Sequence, residues 1–152
     1  MNKWFKRIAI VLLIALVIIQ FIPIDKTNPP VNQEQDLITL LDPPVEIATT
    51  IKKSCYDCHS HHTTYPWYTN IAPFSFWIKD HIADGRRHLN FSTWGTYDKE
   101  RAHHKLEECF EEVAEGHMPL PSYLWIHSEA KLSDDLRNRL SEWFKSQMSK
   151  YQ

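Results

Sequence analysis

From Pro44 onward the sequence has no alternation of apolar and polar residues long enough for a sheet, whereas apolar side chains recur at helical spacing. Val45, Ile47, Ala48 and Ile51 form a short face that ends just before Cys55. Phe74, Trp77, Ile78, His81 and Ile82 follow the i, i+3, i+4, i+7, i+8 pattern, with Gly85 as the expected stop. Ala102, Leu106, Cys109, Phe110 and Val113 repeat it and are closed by Gly116. Leu132, Leu136, Leu140, Trp143 and Phe144 form the last face, with Ser133 as N-cap and Asp134 and Asp135 in the first turn. With only 3 Gly in 152 residues, a turn-dense small all-β fold is excluded. The expectation is one all-α domain over 44–152, in which the C-terminal helix crosses the helix at 44–54 through Leu140, Trp143 and Phe144.

The N-terminal part has a different composition. Ile8 to Ile22 is apolar except for Gln20, and Lys3, Lys6 and Arg7 precede it with no acid before Asp25. That pattern predicts a transmembrane signal anchor over residues 4–24, its basic end in the cytoplasm and the rest exported. A cleaved signal peptide is the competing reading, but the segment after the run offers no small-residue cleavage pattern. Residues 25–43 then read as a Pro-rich linker, since five of the nine prolines lie within 23–44. The expected location is the inner membrane, single-pass, with the C-terminal domain in the periplasm. Beyond residue 24 the chain carries 14 bases against 19 acids, so non-specific nucleic-acid binding has no electrostatic basis.

Cys55-Tyr56-Asp57-Cys58-His59 is the Cys-x-x-Cys-His pattern of covalent haem attachment. Two thiols add across the porphyrin vinyl groups, and the adjacent imidazole meets the iron. With only 3 Cys in the chain, a chance match is uncommon, although a zinc site and a thiol–disulfide pair remain alternatives. For the second axial position Met118, within Gly116-His117-Met118-Pro119-Leu120-Pro121, is the leading candidate. It follows His59 by 59 residues, enough for the chain to pass around a macrocycle, and a thioether opposite His suits electron transfer. His117, His81 or an open position are the rivals, and Met118 as a gap-filling core residue is the bland reading.

Nine His is a high number, and the others have ordinary explanations. His61 and His62 follow the motif, and His103 and His104 lie on a charged helix surface. His88 and His127, and more so Arg86 and Arg87, are candidates for holding haem propionates. Glu107, Glu108, Glu111, Glu112 and Glu115 form an acidic helix side, a solvated face that would also steer a basic partner. Cys109 reads as a small buried hydrophobe.

The segments FIPIDKTNPP, SCYDCHS, YPWYTNIAPFSFWIKDHI, GRRHLNFSTWG and GHMPLPSYLWIH resemble the small haem-binding domain family of membrane-anchored, c-type-cytochrome-like proteins of Bacteroidetes-type bacteria. The resemblance implies one covalent haem c per chain on Cys55 and Cys58, with His59 as axial ligand. The resulting expectation is a cytochrome-c-like helical domain that passes single electrons to a redox partner protein. It has no catalytic residues, and Met118 completes the iron's coordination. A haem-based sensor or gas-binding module and a peroxidase-like haem enzyme, with His117 as its acid–base residue, are the alternatives.

Overall fold

The computed structural model describes residues 2–151, and among them the chain is helical with no strand, as the spacing predicts. Eight α-helices follow in order: α1 (Lys3–Ile19), α2 (Leu37–Leu41), α3 (Val45–Ser54), α4 (Tyr56–His59), α5 (Phe74–His88), α6 (Lys99–Ala114), α7 (Pro121–Leu124) and α8 (Asp134–Gln147). Short 3-10 turns connect them, the longest over Phe91–Thr96.

The α6–α8 pair is the most extensive helix contact. Asp98 caps α6 by accepting the Arg101 N–H at 2.8 Å, and Ser133 caps α8 by accepting the Leu136 N–H at 3.2 Å. Gly116, at φ +79°, takes the left-handed conformation just beyond α6. The face read from the sequence is the buried one: Ala102, Leu106, Cys109 and Val113 of α6 meet Leu140 and Phe144 of α8. Ile47 and Ile51 of α3 join them, so α8 packs mainly on α6 and only secondarily across α3. Each of the Leu, Ile, Val and Phe side chains among these contributes roughly 1.5–3 kcal/mol of transfer free energy. Phe91 and Trp94 complete the core, and the Trp94 indole donates to the Tyr151 hydroxyl at 2.8 Å.

Helix α5 departs from its expected face. Phe74 and Trp77 are 61% and 46% exposed, while Ser75 and Ile82 are buried. Gly85 does not stop the helix, which runs three residues further to His88. Gly85 is instead the point where α5 comes closest to α4, and a Cβ there would lie 2.7 Å from the Cys58 carbonyl oxygen.

The N-terminal expectation is corrected. No helix among the described residues is long and apolar enough to cross a membrane. Helix α1 has 17 residues and begins with Lys3, Lys6 and Arg7 in its first turns. At 1.5 Å per residue it spans about 26 Å, short of a hydrocarbon core of about 30 Å. The apolar run continues to Ile22, but the helix ends at Ile19. There the Gln20 side chain accepts the Ala72 N–H and donates to the Ala72 carbonyl, both at 3.0 Å. The expected transmembrane anchor over 4–24 and the single-pass inner-membrane location with a periplasmic domain are therefore not supported. Residues 25–43 lie on the helical domain: Leu37 and Leu41 are core residues, and Asn28 donates to the Thr63 carbonyl at 2.8 Å.

Candidate functional site

Cys55 ends α3 and opens α4, a single turn in which the Cys58 and His59 N–H groups both donate to the Cys55 carbonyl, at 3.2 and 2.9 Å. This turn puts Cys55, Cys58 and His59 on one cavity of about 450 Å³. Met118 and Leu120 of the α6–α7 loop line the same cavity, with Leu89, Phe91, Val113 and Phe144 as mainly apolar wall. The volume is in the range of cofactor pockets. Cys55, Cys58, His59 and Met118, four residues from two distant segments, thus share one chamber.

His59 is held from behind. Its Nδ1–H is shared between the backbone carbonyls of Gly85 (3.1 Å) and Leu89 (3.2 Å). That fixes the tautomer and leaves the Nε2 lone pair free, as in metal-bound histidines. Burial holds the imidazole below its ordinary pKa, opposed in part by those two carbonyls, so the neutral ligand form prevails. Burial pushes the Cys55 thiol up to about 12 and the Cys58 thiol up to about 11, with the neighbouring thiol and Asp57 adding to the respective shifts. Protonated thiols are poor exchange nucleophiles. Among the described residues, no three or more His, Cys, Asp or Glu side chains converge on a point that would hold a metal ion. The donor set fits an iron porphyrin: two thiols on one helical turn, one oriented imidazole and one thioether within an apolar chamber.

Met118 is held by backbone contacts. Its N–H donates to the Glu112 carbonyl at 3.0 Å, and its own carbonyl accepts from Arg137 Nη1 at 3.2 Å. The same Arg137 nitrogen donates to the Val113 carbonyl at 2.7 Å. Arg137 on α8 therefore clamps the turn that follows α6. Arg137→Met, which keeps the aliphatic stem, is expected to destabilise the fold by about 1–3 kcal/mol in chemical denaturation.

The other histidines separate clearly. His117 points outward, its side chain 61% exposed and near Glu112 (3.5 Å) and Glu115 (3.4 Å), so it is outside the chamber. His81 lines the chamber with Nδ1 bonded to the Trp77 carbonyl at 3.0 Å. His88 also lines it, whereas Arg86 turns inward to the Ser60 carbonyl (2.8 Å), Asn28 (2.7 Å) and Thr63 (2.8 Å). Arg87 pairs with Asp84 at the surface, and His127 is bonded to Tyr68 and Glu129. His61 is bonded to the Pro30 carbonyl and to Asn90. Glu108 and Glu112 of the acidic helix side reach the chamber wall, as does the buried Cys109.

Two features of the site are not legible in the sequence: the Gly85 and Leu89 carbonyls behind His59, and the Arg137 clamp. A glycine inside a helical pattern is a signal of close backbone approach, and Gly85 carried it. The carbonyls and the clamp leave no such trace.

An all-helical domain whose apolar chamber presents an oriented imidazole and two thiols is a cofactor-binding domain. A model of the haem-binding domain family matches residues 14–146, most of the chain, and the chain belongs to that family. It is a haem-binding protein. No curated protein and no solved structure matches it.

Proposed function

We propose that this protein is a c-type haem protein carrying one covalent haem, with thioether bonds from Cys55 and Cys58, His59 as proximal ligand and Met118 as distal ligand. The observation that carries the reading is the convergence on one chamber of Met118 and a Cys-x-x-Cys-His turn whose imidazole has only Nε2 free. When bound, the haem supplies a one-electron Fe(II)/Fe(III) couple. The chain's part is to hold that couple with little rearrangement. Gly85 and Leu89 orient His59, the protonated thiols supply the sulfur and hydrogen for addition to the vinyl groups, and the apolar walls exclude water. A thioether opposite imidazole raises the potential relative to two imidazoles, which suits an electron carrier with a separate redox partner protein. The chamber lacks His117, the acid–base residue that the peroxidase-like reading names.

Met118→Ala tests the distal assignment. The ferric wild-type protein is expected to show the sulfur-to-iron charge-transfer band at the red edge of its spectrum, and the variant to lose it. Persistence of that band in the variant, or a bis-imidazole spectrum in the wild type, overturns Met118. The second result would point to His81, which lines the same chamber.

A further inference from the structure

The segment from Met118 to Tyr123 is tied down at both ends by different parts of the fold. At its start, Met118 is bound to Glu112 and Arg137, that is, to the end of α6 and to α8. At its end, the Tyr123 hydroxyl donates to Asp57 Oδ2 at 2.8 Å. Asp57 stands between the two motif cysteines.

That carboxylate is itself immobilised. Its Oδ1 accepts the Thr64 N–H at 2.9 Å, and the Asp57 backbone carbonyl accepts the Thr63 hydroxyl at 2.6 Å. The Tyr123 ring also lines the chamber and lies flat on His127, with centroids 4.2 Å apart and planes 13° apart. His127 is fixed in turn by the Tyr68 hydroxyl and the Glu129 carboxylate. Pro119 and Pro121 stiffen the four residues between Met118 and Tyr123, so a shift at the tyrosine moves the methionine.

We infer that Tyr123 is the positioning residue of the distal side: its hydrogen bond to Asp57 latches the Met118 loop onto the attachment turn and holds the chamber closed. The inference rests on the proposed haem reading for its ligand consequence, though the latch itself is a contact within the protein. Asp57 thereby links the two sides of the site, because one residue is part of the covalent attachment turn and also anchors the loop carrying the distal thioether. A hydrogen bond to a charged group at a part-buried position corresponds to about a tenfold to hundredfold change in an opening equilibrium.

The test uses the full-length haem-loaded protein with added imidazole as a competing iron ligand. Tyr123→Phe keeps the ring and its stacking on His127, so the fold is retained. Its affinity for imidazole is expected to rise about tenfold or more, with weakening of the sulfur-to-iron band. Asp57→Asn keeps one acceptor oxygen for two donors and loses the charge, so it should fall between wild type and Asp57→Ala, whereas Asp57→Ala should match Tyr123→Phe. The Tyr123→Phe/Asp57→Ala double variant should be no worse than either single one. Amide hydrogen exchange across residues 116–127 should accelerate in Tyr123→Phe whether or not haem is bound. Unchanged imidazole affinity together with unchanged exchange overturns the latch. Faster exchange in a protein that carries no covalent haem would uphold the latch and overturn the haem reading instead.

Discussion

Cys55→Ser/Cys58→Ser, produced in cells able to mature c-type haem, is expected to yield a chain of unmodified mass after denaturation. The wild-type chain, made in the same cells, should carry the added mass of one haem through the same treatment. A serine hydroxyl does not add to a vinyl group under conditions in which a thiol does, so both covalent anchors vanish together. Each single variant should keep one thioether and a weakened yield, because the remaining sulfur and His59 still grip the group. His59 remains oriented by Gly85 and Leu89 in the double variant, so non-covalent haem should be retained in native protein and lost on denaturation. Intact-mass spectrometry and a pyridine haemochrome spectrum read both states. An unmodified wild-type chain with native haem content would mean that this site binds haem without bonding to it.

Gly85→Ala is expected to be the most damaging single-methyl change in the protein. The new Cβ would stand 2.7 Å from the Cys58 carbonyl oxygen and 3.2 Å from the Cys58 carbonyl carbon and Cβ. Backbone cannot swing aside, so α5 must retreat from α4. Overpacking of this kind costs about 1–3 kcal/mol. Retreat of α5 also stretches the two hydrogen bonds behind His59, adding about 1 kcal/mol. The sum is a sizeable share of a stability of about 5–15 kcal/mol, and the melting temperature should drop by roughly 5–15 °C. Gly95→Ala is the control. Its Cβ would meet chiefly the side-chain tips of Gln35 and Leu40, which can rotate away, so the drop should be clearly smaller. Equal melting temperatures for the two variants would refute the argument that α5 is seated on bare backbone. A normal haem spectrum in Gly85→Ala would show that the carbonyls behind His59 are dispensable.

The contrast between α5 and α6 shows what the sequence makes legible. Helix α6 buries large apolar residues at regular spacing, so Ala102, Leu106, Cys109 and Val113 could be named from periodicity alone. Apart from Ile82, helix α5 packs through small and polar groups: Ser75, Gly85 and an Arg86 that is bonded to Ser60, Asn28 and Thr63. A pattern that scores hydrophobicity points to Phe74 and Trp77, and those two face outward. The attachment motif is local and therefore readable, and the stiff Met-Pro loop is legible through its composition. What orients His59 is main chain, invisible to any reading of side chains. The membrane span failed for a related reason. Composition measures how apolar a run is, but not where its helix stops, and Gln20 turns the chain onto Ala72 after only 17 helical residues.

The burial of Leu37 and Leu41 also bears on how the protein can be divided. Helix α2 and the turn before it cover the Phe91–Thr96 stretch, and Asn28 shares Arg86 with the loop that follows the motif. Trimming back to the first residues of α3 would strip this covering from Phe91 and Trp94 and leave the guanidinium of Arg86 short of a partner. A fragment that keeps this covering must therefore include Asn28 and α2, well upstream of the cysteines they serve.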